Sequence, residues 1–168
     1  SESPVVQAPS GEPPALTAAP PTAVPPPAAP LTVLVGGDSQ AATIAHGAGR
    51  QVALTLSDAF CVDRYRDEFL DLMRKGTVDM IFANESELHA LYQTSDFDSA
   101  LKQLRADTKL GVVTRSEKGC VVASAEGVVA VPSFPIKELV DTTGAGDLFA
   151  AGFLFGLVRE AGHVKAGR

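Results

Sequence analysis

The chain of 168 residues has no tryptophan, only two cysteines and only three histidines. Cys61 and Cys120 have neither the spacing of metal ligands nor that of a redox motif. We therefore expect two reduced, partly buried thiols in a cytoplasmic protein rather than a disulfide. His46, His89 and His163 share no ligand-like spacing, and we interpret them as surface or helix residues.

Clustered positive charge and long apolar runs are also missing. The formal net charge is -6 and no basic stripe occurs, which argues against nucleic acid as a main partner. The apolar stretches are short or broken by glycine and charge, so no transmembrane helix and no membrane partner are predicted. The first residues lack the basic region and apolar core of a secretory signal. These absences together predict a cytoplasmic protein.

Prolines are abundant but concentrated at one end. Ten of the twelve lie between Pro4 and Pro30, in a segment that is otherwise mostly alanine. Such a segment has too few large apolar groups to offset its loss of conformational entropy on ordering. We predict a disordered or polyproline II tail over residues 1–30 that acts as a spacer, with a ligand for a proline-recognition domain as the alternative. The globular domain is predicted over residues 31–168.

Strand-like and helix-like segments alternate through the domain. The apolar periodicity predicts strands over residues 31–35, 51–56, 78–83, 110–114, 121–123 and 128–131, and helices over residues 39–46, 63–75, 85–92, 98–105 and 144–159. This alternation predicts an α/β fold with a mostly parallel sheet and helices on both faces. We expect Tyr65, Phe69, Leu72 and Met73 to share one face of their helix. The last helix is apolar on most sides, which predicts burial.

The segment from Asp141 to Asp147 leads into that last helix. A helix start exposes unpaired N–H groups and the positive end of the dipole, and Gly144 and Gly146 would allow an anion to approach. Asp147 would then lie beside the anion. The alternative is a tight strand-to-helix turn in which Asp147 only favours the dipole. The segment is not the phosphate loop, since no Lys-Ser or Lys-Thr follows it, and it is not the dinucleotide fingerprint, since Phe149 replaces the third glycine.

Two further segments have open interpretations. Asn84 and Glu87 are three residues apart at a predicted helix start, a spacing that by itself favours a helix cap closed by the carboxylate. The segment from Thr114 to Gly119 joins two predicted strands and fits an ordinary polar hairpin loop.

A family resemblance covers these segments. The stretch from Asp141 to Leu154 resembles the C-terminal signature of the ribokinase-like (PfkB) family of sugar and nucleoside kinases. The tetrapeptide at residues 84–87 resembles the Asn-x-x-Glu motif of that family, and the two motifs follow the family's order. Residues 54–60 resemble its adenosine-kinase branch. The resemblance implies a three-layer, Rossmann-like α/β fold.

The resemblance also implies a reaction. A kinase of this family moves the terminal phosphate of ATP to a hydroxyl of a nucleoside, with adenosine favoured, or of a sugar. Asp147 would be the catalytic base, and Gly144, Ala145 and Gly146 would form the anion hole. Asn84 and Glu87 would organise Mg²⁺, largely through water.

Further positions match the family less closely. Thr114, Ser116 and Gly119 match a nucleotide-binding Thr-x-Gly-x-x-Gly pattern, although Ser116 stands where the first glycine is usual. Asp141 and Thr143 match positions from which some members bind a monovalent cation, whose other ligands come from a later segment.

The resemblance covers about residues 41–159, roughly the second half of a family member. We therefore expect a partial, apparently truncated kinase domain. An alternative function follows, namely a catalytically incomplete fragment or nucleotide-binding module without turnover. A dinucleotide-binding domain is disfavoured by the absent third glycine.

Overall fold

A computed structural model describes residues 31–35, 39–134 and 141–166, with side chains described for residues 39–134 and 141–158. The predicted tail over residues 1–30 lies outside this part of the chain. The described strands form one six-stranded sheet in chain order. They are β1 (Leu31–Val35), β2 (Gln51–Thr55), β3 (Met80–Asn84), β4 (Leu110–Thr114), β5 (Cys120–Ser124) and β6 (Val128–Val131). Strands β1 to β4 are parallel, whereas β5 and β6 are antiparallel to their neighbours. The mostly parallel sheet confirms the predicted α/β fold.

The described helices also follow the predicted order. They are α1 (Ser39–Gly47), α2 (Ala59–Arg74), α3 (Glu85–Tyr92), α4 (Phe97–Asp107) and α5 (Ala145–Ala166), and a short 3-10 turn spans Ser116–Lys118. Helix α2 begins earlier than residue 63 because Asp58 caps it, accepting a hydrogen bond from the Cys61 N–H at 2.8 Å. An aspartate cap satisfies an otherwise unpaired N–H of the first turn.

Apolar side chains cover both faces of the sheet. Successive residues of a strand point to opposite faces, so Ile81 belongs to the core beneath α1 to α4 while Phe82 belongs to the core beneath α5. Phe82 meets Phe153 of α5 edge to face, with ring centroids 5.7 Å apart. Helices therefore pack on both faces, as predicted.

The predicted burial of the last helix was wrong, and so was the predicted place of Tyr65 on the same face as its neighbours in α2. Helix α5 buries Leu154 and Leu157 against the sheet, but Leu148 and Phe155 are 76% and 63% exposed, because among the described residues only the sheet side of the helix is covered. In α2, Phe69, Leu72 and Met73 are buried on a common face as expected, whereas Tyr65 is 45% exposed. The backbone at Tyr65 is non-helical (φ -117°, ψ 22°), which removes this residue from the helical periodicity.

Both cysteines are free, which confirms the expected thiols. Cys120 is buried, and desolvation raises the pKa of its thiol. Cys61 is half-buried, and its hydrogen bond with the Asp58 carboxylate raises the pKa of that thiol. Among the helices in the described part of the chain, none combines the length and the apolar character needed to cross a membrane.

Candidate active site

A cleft of about 1220 Å³ opens at the carboxyl edge of the parallel strands. Its walls include the end of β3, the loop between β4 and β5, and the first turn of α5. Ligands of open α/β sheets bind at this edge, because the strand ends and the loops after them converge there. The cleft collects nine of the predicted site residues, which are Asn84, Glu87, Thr114, Ser116, Gly119, Gly144, Ala145, Gly146 and Asp147. Asp141 and Thr143 are not among the residues that line it.

The turn before α5 is built by local hydrogen bonds. The Asp141 carboxylate accepts a hydrogen bond from the Thr143 N–H at 2.9 Å, and this bond lowers the pKa of Asp141. Gly144 has a φ of 73°, a left-handed conformation that glycine adopts without a steric cost. A Cβ placed on Gly144 or Gly146 would meet no atom within 4 Å, so the space beside both glycines is open.

The first turn of α5 presents backbone amides to the cleft. The Ala145 N–H already donates to the Thr142 carbonyl at 3.0 Å, while the Leu148 N–H donates to the Gly144 carbonyl at 3.0 Å. Between them, the N–H groups of Gly146 and Asp147 belong to the turn for which a helix provides no internal acceptor. Asp147 is exposed and lines the cleft beside these amides. The turn thus combines two N–H groups that have no helical acceptor with one carboxylate.

Asn84 and Glu87 form a reciprocal cap at the start of α3. The Asn84 Oδ1 accepts from the Glu87 N–H at 2.9 Å, and the Glu87 carboxylate accepts from the Asn84 N–H at 2.9 Å and from Asn84 Nδ2 at 2.7 Å. The capping interpretation is therefore correct for this pair. Glu87 is only 5% exposed, and desolvation is the main cause that raises the pKa of its carboxyl.

The same pair remains available to a hydrated cation. Each carboxylate oxygen has a second lone pair, and both residues line the cleft. Within the described residues, no group of three or more His, Cys, Asp or Glu side chains could hold a metal ion directly. This donor set fits magnesium, which usually keeps several waters and binds protein through one or two carboxylates together with substrate phosphates.

The loop between β4 and β5 contains two residues with positive φ. Ser116 has a φ of 51° and Gly119 a φ of 90°. The left-handed backbone at Ser116 explains why glycine is usual at this place in the Thr-x-Gly-x-x-Gly pattern. A Cβ on Gly119 would lie 2.6 Å from the Ser133 N atom and 2.7 Å from the Pro132 carbonyl carbon, so no side chain fits there.

Changing Ser116 to glycine is expected to stabilise the fold by up to about 1 kcal/mol, because relief of the left-handed strain exceeds the added entropy of the unfolded chain. The measurement is the free energy of unfolding in urea. The control is Ser86→Gly in the first turn of α3, where the change relieves no positive φ and should be destabilising because glycine adds entropy to the unfolded chain. A loss of more than about 1 kcal/mol at residue 116 would contradict a strained serine.

One contact near the cleft was missed by sequence reasoning. The Arg115 guanidinium binds the Glu85 carboxylate through two hydrogen bonds, at 2.9 Å from Nη2 and 3.2 Å from Nε. It also lies 3.6 Å from the centroid of the Phe97 ring. The hydrogen bond from Arg115 is the main cause that lowers the pKa of Glu85. No local pattern in the sequence could have paired residues that are 30 positions apart.

Ser57 was also missed. It lines the cleft after β2 and has a φ of 69°. A serine in this conformation is uncommon, and such strained residues cluster at binding sites. The sequence signal that could have pointed to Ser57 as a cleft residue was its place in the segment that resembles the adenosine-kinase branch.

A mostly parallel sheet with helices on both faces and a cleft at its carboxyl edge is the architecture of a three-layer α/β protein. The chain belongs to the pfkB family of carbohydrate kinases, whose family model matches residues 32–168. The match begins before residue 41 and continues past residue 159, so it is longer than the resemblance predicted.

Several relatives are similar to parts of this chain. The cytidine kinase of Thermococcus kodakarensis is 39% identical over 103 residues, which are 56% of this chain and 37% of the relative. The adenosine kinase of Saccharomyces cerevisiae is 32% identical over 118 residues, or 63% of this chain and 34% of the relative. The crystal structure of the adenosine kinase from Sinorhizobium meliloti superposes with a TM-score of 0.69 at 58% identity, covering 71% of this chain and 37% of that one. This chain thus spans little more than a third of the length of the proteins it matches.

Proposed function

We propose that this chain carries the phosphoryl-transfer site of a nucleoside kinase, moving the terminal phosphate of ATP to a hydroxyl of its substrate. The observation that carries the proposal is the cleft that brings Asp147, the first-turn amides of α5 and the pair Asn84–Glu87 together. Adenosine is the favoured substrate because the 58% identical structure is an adenosine kinase, and a sugar is the next choice.

Asp147 is proposed as the general base. Its exposed carboxylate would accept the proton of the substrate hydroxyl as that oxygen forms a bond to the terminal phosphorus of ATP. The bond between that phosphorus and the bridging oxygen breaks, leaving ADP with the electron pair. A positioned base of this kind contributes roughly 10²- to 10⁴-fold to the rate.

The anion hole would stabilise the phosphoryl group during transfer. The N–H groups of Gly146 and Asp147 are the donors that the turn leaves without a helical acceptor, and the left-handed Gly144 sets their direction. The positive end of the α5 dipole adds to their effect. We retain Ala145 in the predicted anion hole for its place in this turn, although its N–H already has the Thr142 carbonyl as a partner.

The remaining predicted residues surround the phosphates. Magnesium, when bound, would neutralise phosphate oxygens, and the buried Glu87 with Asn84 would orient its waters. Thr114, Ser116 and Gly119 are proposed to contact ATP from the loop after β4. A monovalent cation near Asp141 and Thr143 stays a prediction. A cytoplasmic location is proposed because both thiols are free.

A second candidate is a nucleotide-binding module without turnover. The composition of the cleft favours it, since Asn84, Glu87, Thr114, Ser116 and Gly119 are all proposed to contact Mg-ATP. Binding of the nucleotide by these residues does not by itself require transfer to an acceptor hydroxyl. This candidate would bind Mg-ATP but release no substrate-dependent ADP.

The test is ADP release from Mg-ATP by the purified chain, with a panel of adenosine, cytidine, ribose and fructose. We expect release that depends on a nucleoside and that is lost when EDTA removes magnesium. The Asp147→Asn variant is the blank, that is, the control for ADP release that does not depend on the proposed base. Release equal to the blank, from a sample that binds Mg-ATP by calorimetry, would establish the second candidate. A folded sample that neither binds nor hydrolyses ATP would contradict both candidates.

A further inference from the structure

The parallel register places two cleft residues side by side. Asn84 at the end of β3 is the register partner of Thr114 at the end of β4. The residues that follow them, Glu85 and Arg115, therefore leave the sheet as neighbours. Asn84 and Thr114 both line the cleft, so the forked ion pair between Glu85 and Arg115 lies directly beside it.

The arginine is held by more than its charge. Both Glu85 oxygens accept from its guanidinium, and the Phe97 ring of α4 lies against it. The Lys118 ammonium, from the same loop, is 4.0 Å from Glu85 Oε2. A two-point contact between arginine and carboxylate fixes orientation as well as distance, and an aromatic face adds a further restraint. The Arg115 and Glu85 side chains are 23% and 27% exposed, so water screens the pair only in part.

Other hydrogen bonds also restrain the loop, which closes the antiparallel pair of β4 and β5. The Arg115 N–H donates to the Gly119 carbonyl at 2.8 Å, and the Lys118 N–H donates to the Arg115 carbonyl at 3.0 Å. On the other side, the Ser133 hydroxyl donates to the Glu117 carbonyl at 2.6 Å. Ser116 meanwhile holds a left-handed conformation, which persists only when surrounding contacts determine it.

We propose that Arg115 is a positioning residue that couples the loop of Thr114, Ser116 and Gly119 to the helix start carrying Asn84 and Glu87. The register of β3 with β4 already brings Asn84 next to Thr114, and the fork restrains the loop beyond Thr114 against the start of α3, because Glu85 directly follows Asn84. Arg115 would act through Glu85 rather than by binding a phosphate, since both of its hydrogen bonds to a side chain go to that carboxylate. The inference rests on the proposed function, since its consequence is the affinity for Mg-ATP.

The test compares two arginines that each fork onto a carboxylate. Arg115→Met keeps an unbranched side chain but removes both hydrogen bonds and the guanidinium that lies against the Phe97 ring. The matched control is Arg74→Met, because Arg74 binds Asp107 at 3.1 and 3.2 Å between α2 and α4, away from the cleft. The dissociation constant of Mg-ATP is measured by calorimetry for both variants and the wild type. We expect an increase of about tenfold for Arg115→Met and less than about twofold for Arg74→Met.

Amide hydrogen exchange without nucleotide supplies an independent readout. The reporters are the N–H groups of Lys118 and Gly119 in the loop and of Glu87 in the cap. Arg115→Met should accelerate exchange at all three, whereas Arg74→Met should leave them unchanged. Arg115→Lys should restore part of the affinity, since one ammonium can reach Glu85 but cannot form the fork. Glu85→Gln should reproduce the arginine variant, and the double variant should add little.

The outcomes separate this inference from the proposed function. If Arg115→Met binds Mg-ATP with wild-type affinity and the three reporter N–H groups exchange at wild-type rates, the proposed coupling is wrong. The proposed function is not affected by that result. Equal losses in Arg115→Met and Arg74→Met also overturn the coupling, because the arginine would then act only through general stability. A wild-type chain that binds no Mg-ATP overturns the proposed function and this inference together.

Discussion

Replacing Asp147 by asparagine is expected to lower kcat by about 10³-fold while the affinity for Mg-ATP stays the same or rises. The amide keeps the size and the hydrogen-bonding oxygen of the side chain but cannot accept the substrate proton. Removing a negative charge beside a polyphosphate also removes a repulsion. The measurements are steady-state turnover with the best nucleoside of the panel and calorimetric binding of Mg-ATP.

The control for this substitution is Asp98→Asn. Asp98 is an exposed carboxylate in the first turn of α4, so the change removes the same favourable interaction with a helix dipole outside the cleft. Both variants should lose roughly 0.3 to 1 kcal/mol of stability, and only Asp147→Asn should lose turnover. Turnover above about a tenth of wild type in Asp147→Asn would exclude this residue as the base.

Changing Gly119 to alanine should destabilise the fold by about 3 kcal/mol. The Cβ would meet the backbone of Pro132 and Ser133, and lie closer still to the Val131 carbonyl. A backbone obstacle cannot rotate away as a flexible side chain can. The φ of 90° adds conformational strain for any residue with a Cβ. Urea unfolding measures the loss, and Mg-ATP binding should weaken because the loop lines the cleft.

Gly127→Ala provides the comparison. Gly127 lies in the turn between β5 and β6, and a Cβ there would meet nothing within 4 Å. We expect its stability to stay within about 0.5 kcal/mol of wild type, as for most surface substitutions. A similar, small effect at residue 119 would show that the end of the β5–β6 hairpin can move aside.

Most element types could be predicted because periodicity is a local property. The apolar run of β3 and the alternation along β2 indicate strands with buried faces. The Asn84–Glu87 spacing indicates the start of a helix. The failures occurred where burial depends on distant partners. Leu148 and Phe155 belong to an apolar helix, but only the sheet face of α5 is covered among the described residues.

The site shows the same division between local and distant signals. The Asn84–Glu87 spacing permitted either a cap or a cation site, and the structure shows the cap with both carboxylate oxygens engaged. In the loop, Ser116 and Gly119 stand at the two glycine positions of the family pattern, and both have positive φ. The Arg115–Glu85 fork had no such signal, because no spacing rule connects residues from separate elements.

The sequence by itself determined the alternation of strands and helices, the glycine turn before α5 and the capped start of α3, because each depends on residues a few positions apart. The tertiary structure alone decided that residues 84, 114 and 147 share one cleft and that Arg115 meets Glu85. These contacts follow from the parallel register of β3 with β4 and from the packing of α5 on the opposite sheet face. Register is a property of paired strands, so it becomes definite only when the sheet has formed.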